Sequence, residues 1–150
     1  MKTYFVFLSA IIFFACSDNE SQMKFLSFEL RLAESKADSG FVIMNLENSD
    51  MKFYVGKNVY LQNKDIISAK VIDVDTHPKV FVTLTGEGGS KFAEFTEQNI
   101  GKNAAILIDG KLVSAPRINA KIEEDKLIIV GYFTHEEAEK IAQGIYTNKE

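Results

Sequence analysis

The stretch Ile106–Ile118, ILIDGKLVSAPRI, decides the fold. Two apolar runs flank Asp109-Gly110. A two-residue Asp-Gly loop favours a type I′ turn, because both central residues must take positive φ. The reading is a hairpin with Ile108 opposite Lys111, Leu107 opposite Leu112 and Ile106 opposite Val113. Pro116 then stops the second strand or puts it at a sheet edge, since proline has no amide for a ladder. Asp109 is thereby a turn residue rather than an acid or base.

Working outward, RINAKIEEDKLIIVG reads as a second hairpin with Glu123-Glu124-Asp125 at its tip. FTHEEAEKIAQGI follows as a helix. Thr134 caps it, Glu137 three residues on completes a capping box, and Phe133 and Ala138 occupy the staple positions. Ala138, Ile141, Ala142 and Ile145 form its apolar stripe. Upstream, GEGGSKFAEFTEQNIG has helical spacing at Phe92, Phe95, Thr96 and Asn99. Gly101 suits the left-handed position after that helix. The glycines at its start lower helix propensity, so a loose first turn is expected.

Before this helix the period is two. Leu26, Phe28, Leu30 and Leu32 alternate with polar residues. FVIMNLE offers a second strand, and MKFYVGKNVYL two short strands about Gly56. DIISAKVIDVD leads into another strand, bounded by His77-Pro78, and KVFVTLT is the next. Several strands, a helix, four strands and a helix give an α+β fold. Its sheet is largely antiparallel and built of hairpins, with two helices packed on one face.

The chain has 150 residues, 46% hydrophobic and 25% charged, which fits one globular domain. A net charge of −4 disfavours a nucleic-acid partner. The single cysteine, Cys16, rules out an internal disulfide and four-cysteine zinc sites. Ahead of it, YFVFLSAIIFFA is too short to span a membrane but suits the core of a secretory signal. Ala15-Cys16 followed by SDNESQ resembles a bacterial lipoprotein signal. That resemblance implies removal of residues 1–15, a lipid on Cys16, a polar tether over 16–23 and a domain over 24–147. Phe13 departs from it, standing where leucine is usual. A non-lipidated signal, or a short anchor with an inert cysteine, is the alternative. With a lipid, the resemblance implies an extracytoplasmic protein anchored to a membrane, with the outer membrane, facing periplasm or cell surface, as its expected address.

Candidate chemistry is sparse. GEGGSK lacks the spacing of a phosphate loop. His135 and Glu139 lie one turn apart but have no second histidine, so no metal site is expected. His77 reads as a loop residue. No serine sits in G-x-S-x-G. Thr96, Gln98 and Asn99 share a helix without a charged partner. The carboxylates Glu123, Glu124, Glu136 and Glu137 would serve a hydrolase, but they read as solvated. The expectation is no enzyme, no catalytic residue and no cofactor.

Three stretches together resemble the head of the first periplasmic domain of SecD, the accessory subunit of the bacterial protein translocase. They are FVTLTGEGGSKFAEFTEQNIGK, AAILIDGKLVSAPRI and GYFTHEEAEKIAQGI, spanning about residues 79–145. FELRL and KDIISAKV extend the resemblance more loosely. It implies an extracytoplasmic domain whose partner is protein or polypeptide, linked to export or envelope assembly. A structural envelope protein with one folded partner is the other reading. No membrane helix follows the signal, so the resemblance does not extend to a proton-driven motor. The binding residues remain open at this level.

Overall fold

The computed structural model describes residues 24–36, 39–74 and 77–146, so Cys16 and the expected signal lie outside the described residues. The elements run β1 (Phe28–Glu34), β2 (Val42–Asn45), β3 (Lys52–Gln62), a 3-10 turn (Asn63–Asp65), β4 (Ile66–Val74) and β5 (His77–Leu84). Then come α1 (Gly86–Gln98), β6 (Asn103–Ile108), β7 (Lys111–Ser114), β8 (Lys126–Ile129) and α2 (His135–Ile145). The fold is α+β. All strand pairs are antiparallel, in two sheets ordered β2-β3-β1-β6-β7 and β4-β5-β8.

Alternation on β1 decides how the layers meet. Phe28 and Leu30 point to the main core, with Leu61, Ile106 and Ile108 from the same sheet. Val80, Val82, Leu84, Leu127 and Ile129 close that core from the second sheet, and Phe92, Phe95, Ala138, Ile141 and Ile145 close it from the helices. Helix α1 packs on β3 and β5, and α2 on β4 and β5.

The other face of the larger sheet has its own core. Leu46, just past β2, bridges Leu112 of β7, and the Glu47 amide donates to the Leu112 carbonyl at 2.9 Å. The sheet therefore rolls until its two outer strands meet. The enclosed face buries Ala33, Leu46, Val55, Ala105, Leu107 and Leu112, with Met44, Phe53 and Ala115 against them. A roll of so few strands has room for side chains only, and alanines suit its narrow interior.

Several details depart from the sequence reading. The hairpin pairs Ile108 with Lys111 and Leu107 with Leu112, but Ile106 faces Ser114, because the ladder is bulged there. β3 is one strand through Gly56, not two. A Cβ at Gly56 would already lie 3.4 Å from the Phe41 ring, so glycine lets the strand pass beneath that ring. The segment 117–125 forms no hairpin arm. Gly101 and Lys102 exchange bonds with Ile118, and the Ile122 amide donates to Thr96 Oγ1 at 2.9 Å. Those bonds lay the segment against the end of α1, and β8 pairs with β5 instead. Three strands, not four, separate the helices. His77 opens β5 opposite Val74 rather than lying in a loop.

The first turn of α1 is also firmer than expected. Thr85 caps it, accepting from the Gly88 amide at 3.0 Å, and Gly88 and Gly89 are buried. A Cβ on Gly88 would lie 2.7 Å from the Asp65 carbonyl oxygen. These glycines mark a close approach rather than a weak helix end.

Candidate functional site

Asp109 and Gly110 take φ of 48° and 76°, as a type I′ turn requires. Asp109 does more than turn. Its Oδ1 accepts from the Ser27 amide at 2.8 Å, and its own amide donates to the Ser27 carbonyl at 3.0 Å. Lys24 lies 3.4 Å from Oδ2. The Ser27 amide, then Lys24, hold the Asp109 carboxyl below the usual aspartate range. A carboxylate committed to an amide and an ammonium group is not poised to take a proton.

The hairpin tip so tied to β1 forms one wall of a cleft. The start of α2 forms another. There Thr134 accepts from the Glu137 amide, and Glu137 Oε2 accepts from the Thr134 amide at 2.7 Å, a complete capping box. The third wall is the turn after β2, where Asn48 (φ 56°) donates to the Tyr132 carbonyl at 2.7 Å. The cleft has a volume of about 330 Å³. Leu26, Ile108, Val113, Phe133 and Ile141 form its apolar floor, and Tyr132 stands at its mouth, 62% exposed.

The rim is charged yet balanced. Lys24, Lys111 and Lys140 line it together with Glu47, Asp109 and Glu137. Lys111 reaches Glu47 at 3.5 Å, and Lys140 reaches Glu136 at 2.7 Å. The hydrogen bond between them lowers the Glu136 pKa and raises that of Lys140. An apolar floor inside a neutral rim can take an apolar side chain without selecting the charge of its neighbours.

The structure brings two singled-out residues, Asp109 and Glu137, to the walls of this cleft, with Gly110 and Thr134 in the turn and cap that hold them. Pro116 is not among them. It lies past β7 in a separate groove with Phe92, Ile118 and Ile128. Glu123 pairs with Lys121 at 3.1 Å in the loop before β8, and Glu124 is exposed. Neither joins Glu136 or Glu137 in a catalytic pair. His135 links α2 to Asp73 at 3.2 Å, and among the described residues no group of three ligating side chains could hold a metal. Sequence reasoning missed Lys24, Asn48 and Tyr132, which come from three separated segments. It also missed Asp65, 3% exposed, whose Oδ1 takes Lys91 at 2.9 Å beneath α1.

Comparison with known proteins gives this geometry a family. The model for the SecDF P1 head subdomain matches residues 41–147. The protein translocase subunit SecD of Aquifex aeolicus is 45% identical over 91 residues, covering 60% of this chain and 18% of that protein. The SecDF subunit of Thermus thermophilus is 42% identical over 83 residues, covering 55% of this chain and 11% of that one. The chain thus spans less than a quarter of the length of these relatives. Among solved structures, a membrane component SecDF that enhances protein export matches with a TM-score of 0.67 and 27% identity, over 82% of this chain and 63% of that chain. SecDF in its super-membrane-facing form matches with a TM-score of 0.66 and 28% identity, over 79% and 18%.

These matches correct the expected address. A head subdomain of this family is an extracytoplasmic part of an inner-membrane translocase, not of an outer-membrane or surface lipoprotein. The matched model covers well over half of the 150 residues, and the chain belongs to the SecDF P1 head family.

Proposed function

We propose that this chain is a non-enzymatic polypeptide-binding head that acts on the outer side of the translocating membrane during protein export. The cleft between the Asp109-Gly110 hairpin, the β2 turn and the start of α2 carries this reading. Its floor is apolar and its rim is charge-balanced. Such a site accepts side chains of many sequences, as a partner of unfolded chains must. Its volume of about 330 Å³ holds one or two side chains rather than a folded surface.

A photo-crosslinking residue at Tyr132, at the cleft mouth, tests the reading in cells. Crosslinks to many newly exported chains, lost when export is stopped, are the expected result. One folded partner captured whether or not export runs would instead favour a structural envelope protein, and no export-dependent crosslink would overturn the proposal.

The same proposal includes cleavage before Cys16 and a lipid on that cysteine, which would hold the head at the translocase membrane. A tether over 16–23 would reach roughly 20–25 Å at about 3.3–3.6 Å per extended residue. Intact mass of the membrane-bound protein tests this. A mature chain beginning at Cys16 with acyl mass supports it, and a free thiol there rejects it.

A further inference from the structure

The three-stranded sheet turns one face to the core and leaves the other open among the described residues. Register fixes what stands on that open face. Ile72 faces Lys79, Lys70 faces Phe81, and Ser68 faces Thr83 across β4 and β5; Ile128 then adjoins Phe81, and Lys126 adjoins Thr83, on β8. Lys70 Nζ lies 5.5 Å from the centroid of the Phe81 ring, so both side chains share the face. Lys70, Lys126 and Ile128 are exposed, and Lys79, Phe81 and Ile72 are half-buried.

The charge on this face is one-sided. None of these positions holds a carboxylate. Among the described residues Lys70, Lys79 and Lys126 have no ion-pair partner; Lys36, Lys52 and Lys57 also have none but belong to β3 or the turn after β1, and Lys24, Lys91, Lys102, Lys111, Lys121 and Lys140 each have one. The chain as a whole carries −4. Three unneutralised cations around an apolar centre, on an acidic protein, mark a surface complementary to something anionic.

We propose that this face rests on an anionic phospholipid surface. The shape favours a bilayer over a polypeptide. A sheet face spreads its side chains in a plane, about 4.8 Å between strands and nearly 7 Å between alternate residues. An extended polypeptide would instead add to a strand edge or enter a groove. On lipid, the lysine stems lie along apolar surface while their ammonium groups reach phosphates. Phe81 and Ile128 then meet the boundary between headgroups and acyl chains. Each lysine near an anionic surface contributes roughly fivefold in binding, so three give about a hundredfold. That orients a head already held near a membrane; it does not capture one from solution. The face shares no residue with the polypeptide cleft, so either proposal can fail alone.

The chain has no tryptophan, which supplies a silent background. The full chain carrying Phe81→Trp is reconstituted in vesicles of neutral phosphatidylcholine, or with about 30% phosphatidylglycerol. Brominated acyl chains quench any indole that reaches the lipid. The expected result is quenching in the anionic vesicles, at least fivefold weaker in neutral ones, and lost in about 0.5 M salt, where screening is short-ranged. Lys70→Glu with Lys79→Glu and Lys126→Glu, added to the Phe81→Trp chain, should abolish it. Tyr132→Trp, at the cleft, should stay unquenched. If the chain with all three lysines replaced folds poorly, the salt series decides. Equal quenching in neutral and anionic vesicles, or none in either, overturns the proposal. An indole emission shift of the Phe81→Trp chain with soluble polyglutamate, but not with vesicles, overturns it in favour of an acidic polypeptide.

Discussion

Gly86 and Gly88 stand two residues apart in α1 and are glycine under different constraints. A Cβ at Gly86 meets nothing within 4 Å, while one at Gly88 would press on the Asp65 backbone. Gly86→Ala should therefore hold stability or raise it by up to about 1 kcal/mol, through helix propensity and a less flexible unfolded chain. Gly88→Ala gains the same propensity but overpacks a contact that cannot swing away, and should lower stability by about 1–3 kcal/mol. Urea unfolding of the pair measures both, and equal midpoints would refute the close approach. At the hairpin, Asp109→Asn keeps a residue tolerant of positive φ and an oxygen able to accept from Ser27. Its melting temperature should lie close to the parent's, lower only by the small share of the lost carboxylate charge, with export activity retained, while Asp109→Ala and Gly110→Val should melt lower still. Loss of activity in a fully stable Asp109→Asn chain would restore a chemical role. The turn was legible in sequence because its chemistry is local. The Ser27 bond and the Gly88–Asp65 contact were not, since they join residues 82 and 23 positions apart.

At the scale of the element, α2 is where sequence and structure agree most fully. Its cap, staple and stripe are all local patterns, and the apolar stripe lands in the main core. Thr134→Ala removes the side-chain acceptor from the Glu137 amide and should destabilise by about 1 kcal/mol. Thermal melts followed by helical ellipticity check this; Thr134→Ser should recover most of the loss. β1, β5 and the β6–β7 hairpin were legible for the same reason. β3 was not, because a glycine in a strand signals a break unless the ring above it is known. The arm expected over 117–125 was misread because its apolar residues serve α1, and β8 was credited to the wrong partner. Two such motifs, Asp109-Gly110 and Thr134 to Glu137, supply Asp109 and Glu137 to the cleft wall. Asn48 and Tyr132 join it only through tertiary packing, which no periodicity encodes.

For the whole molecule, charge sets a broad stability plateau and the rolled sheet sets where the fold opens first. Glu87 and Glu136 are held below 4.5, and Asp109 below 3.8, by neighbouring lysines and the Ser27 amide. Depressed carboxylates stabilise fully above their unfolded values, and that contribution is lost as pH falls through the lowered folded ones. Lys91, Lys121 and Lys140 are raised above 10.5 by their carboxylates, so theirs is complete below 10.5 and lost as pH rises through the raised values. These groups predict a melting temperature flat between, with shallow falls at both ends that salt weakens. A steep change near pH 7 would contradict it. The roll is held at one seam, where Leu46 meets Leu112. Leu46 is 7% exposed and fills the smaller core, so Leu46→Ala should cost about 2–5 kcal/mol if the site cannot collapse. The loss should be local. The main core, with both helices and the second sheet, does not include Leu46. Hydrogen exchange should accelerate at β2 and at the Glu47 amide while α2 keeps its protection. The seam also positions Asn48 against Tyr132, so crosslinking from the cleft mouth should fall in the same variant. If β2 stays as protected as in the parent, the roll is closed by its ladder rather than by Leu46.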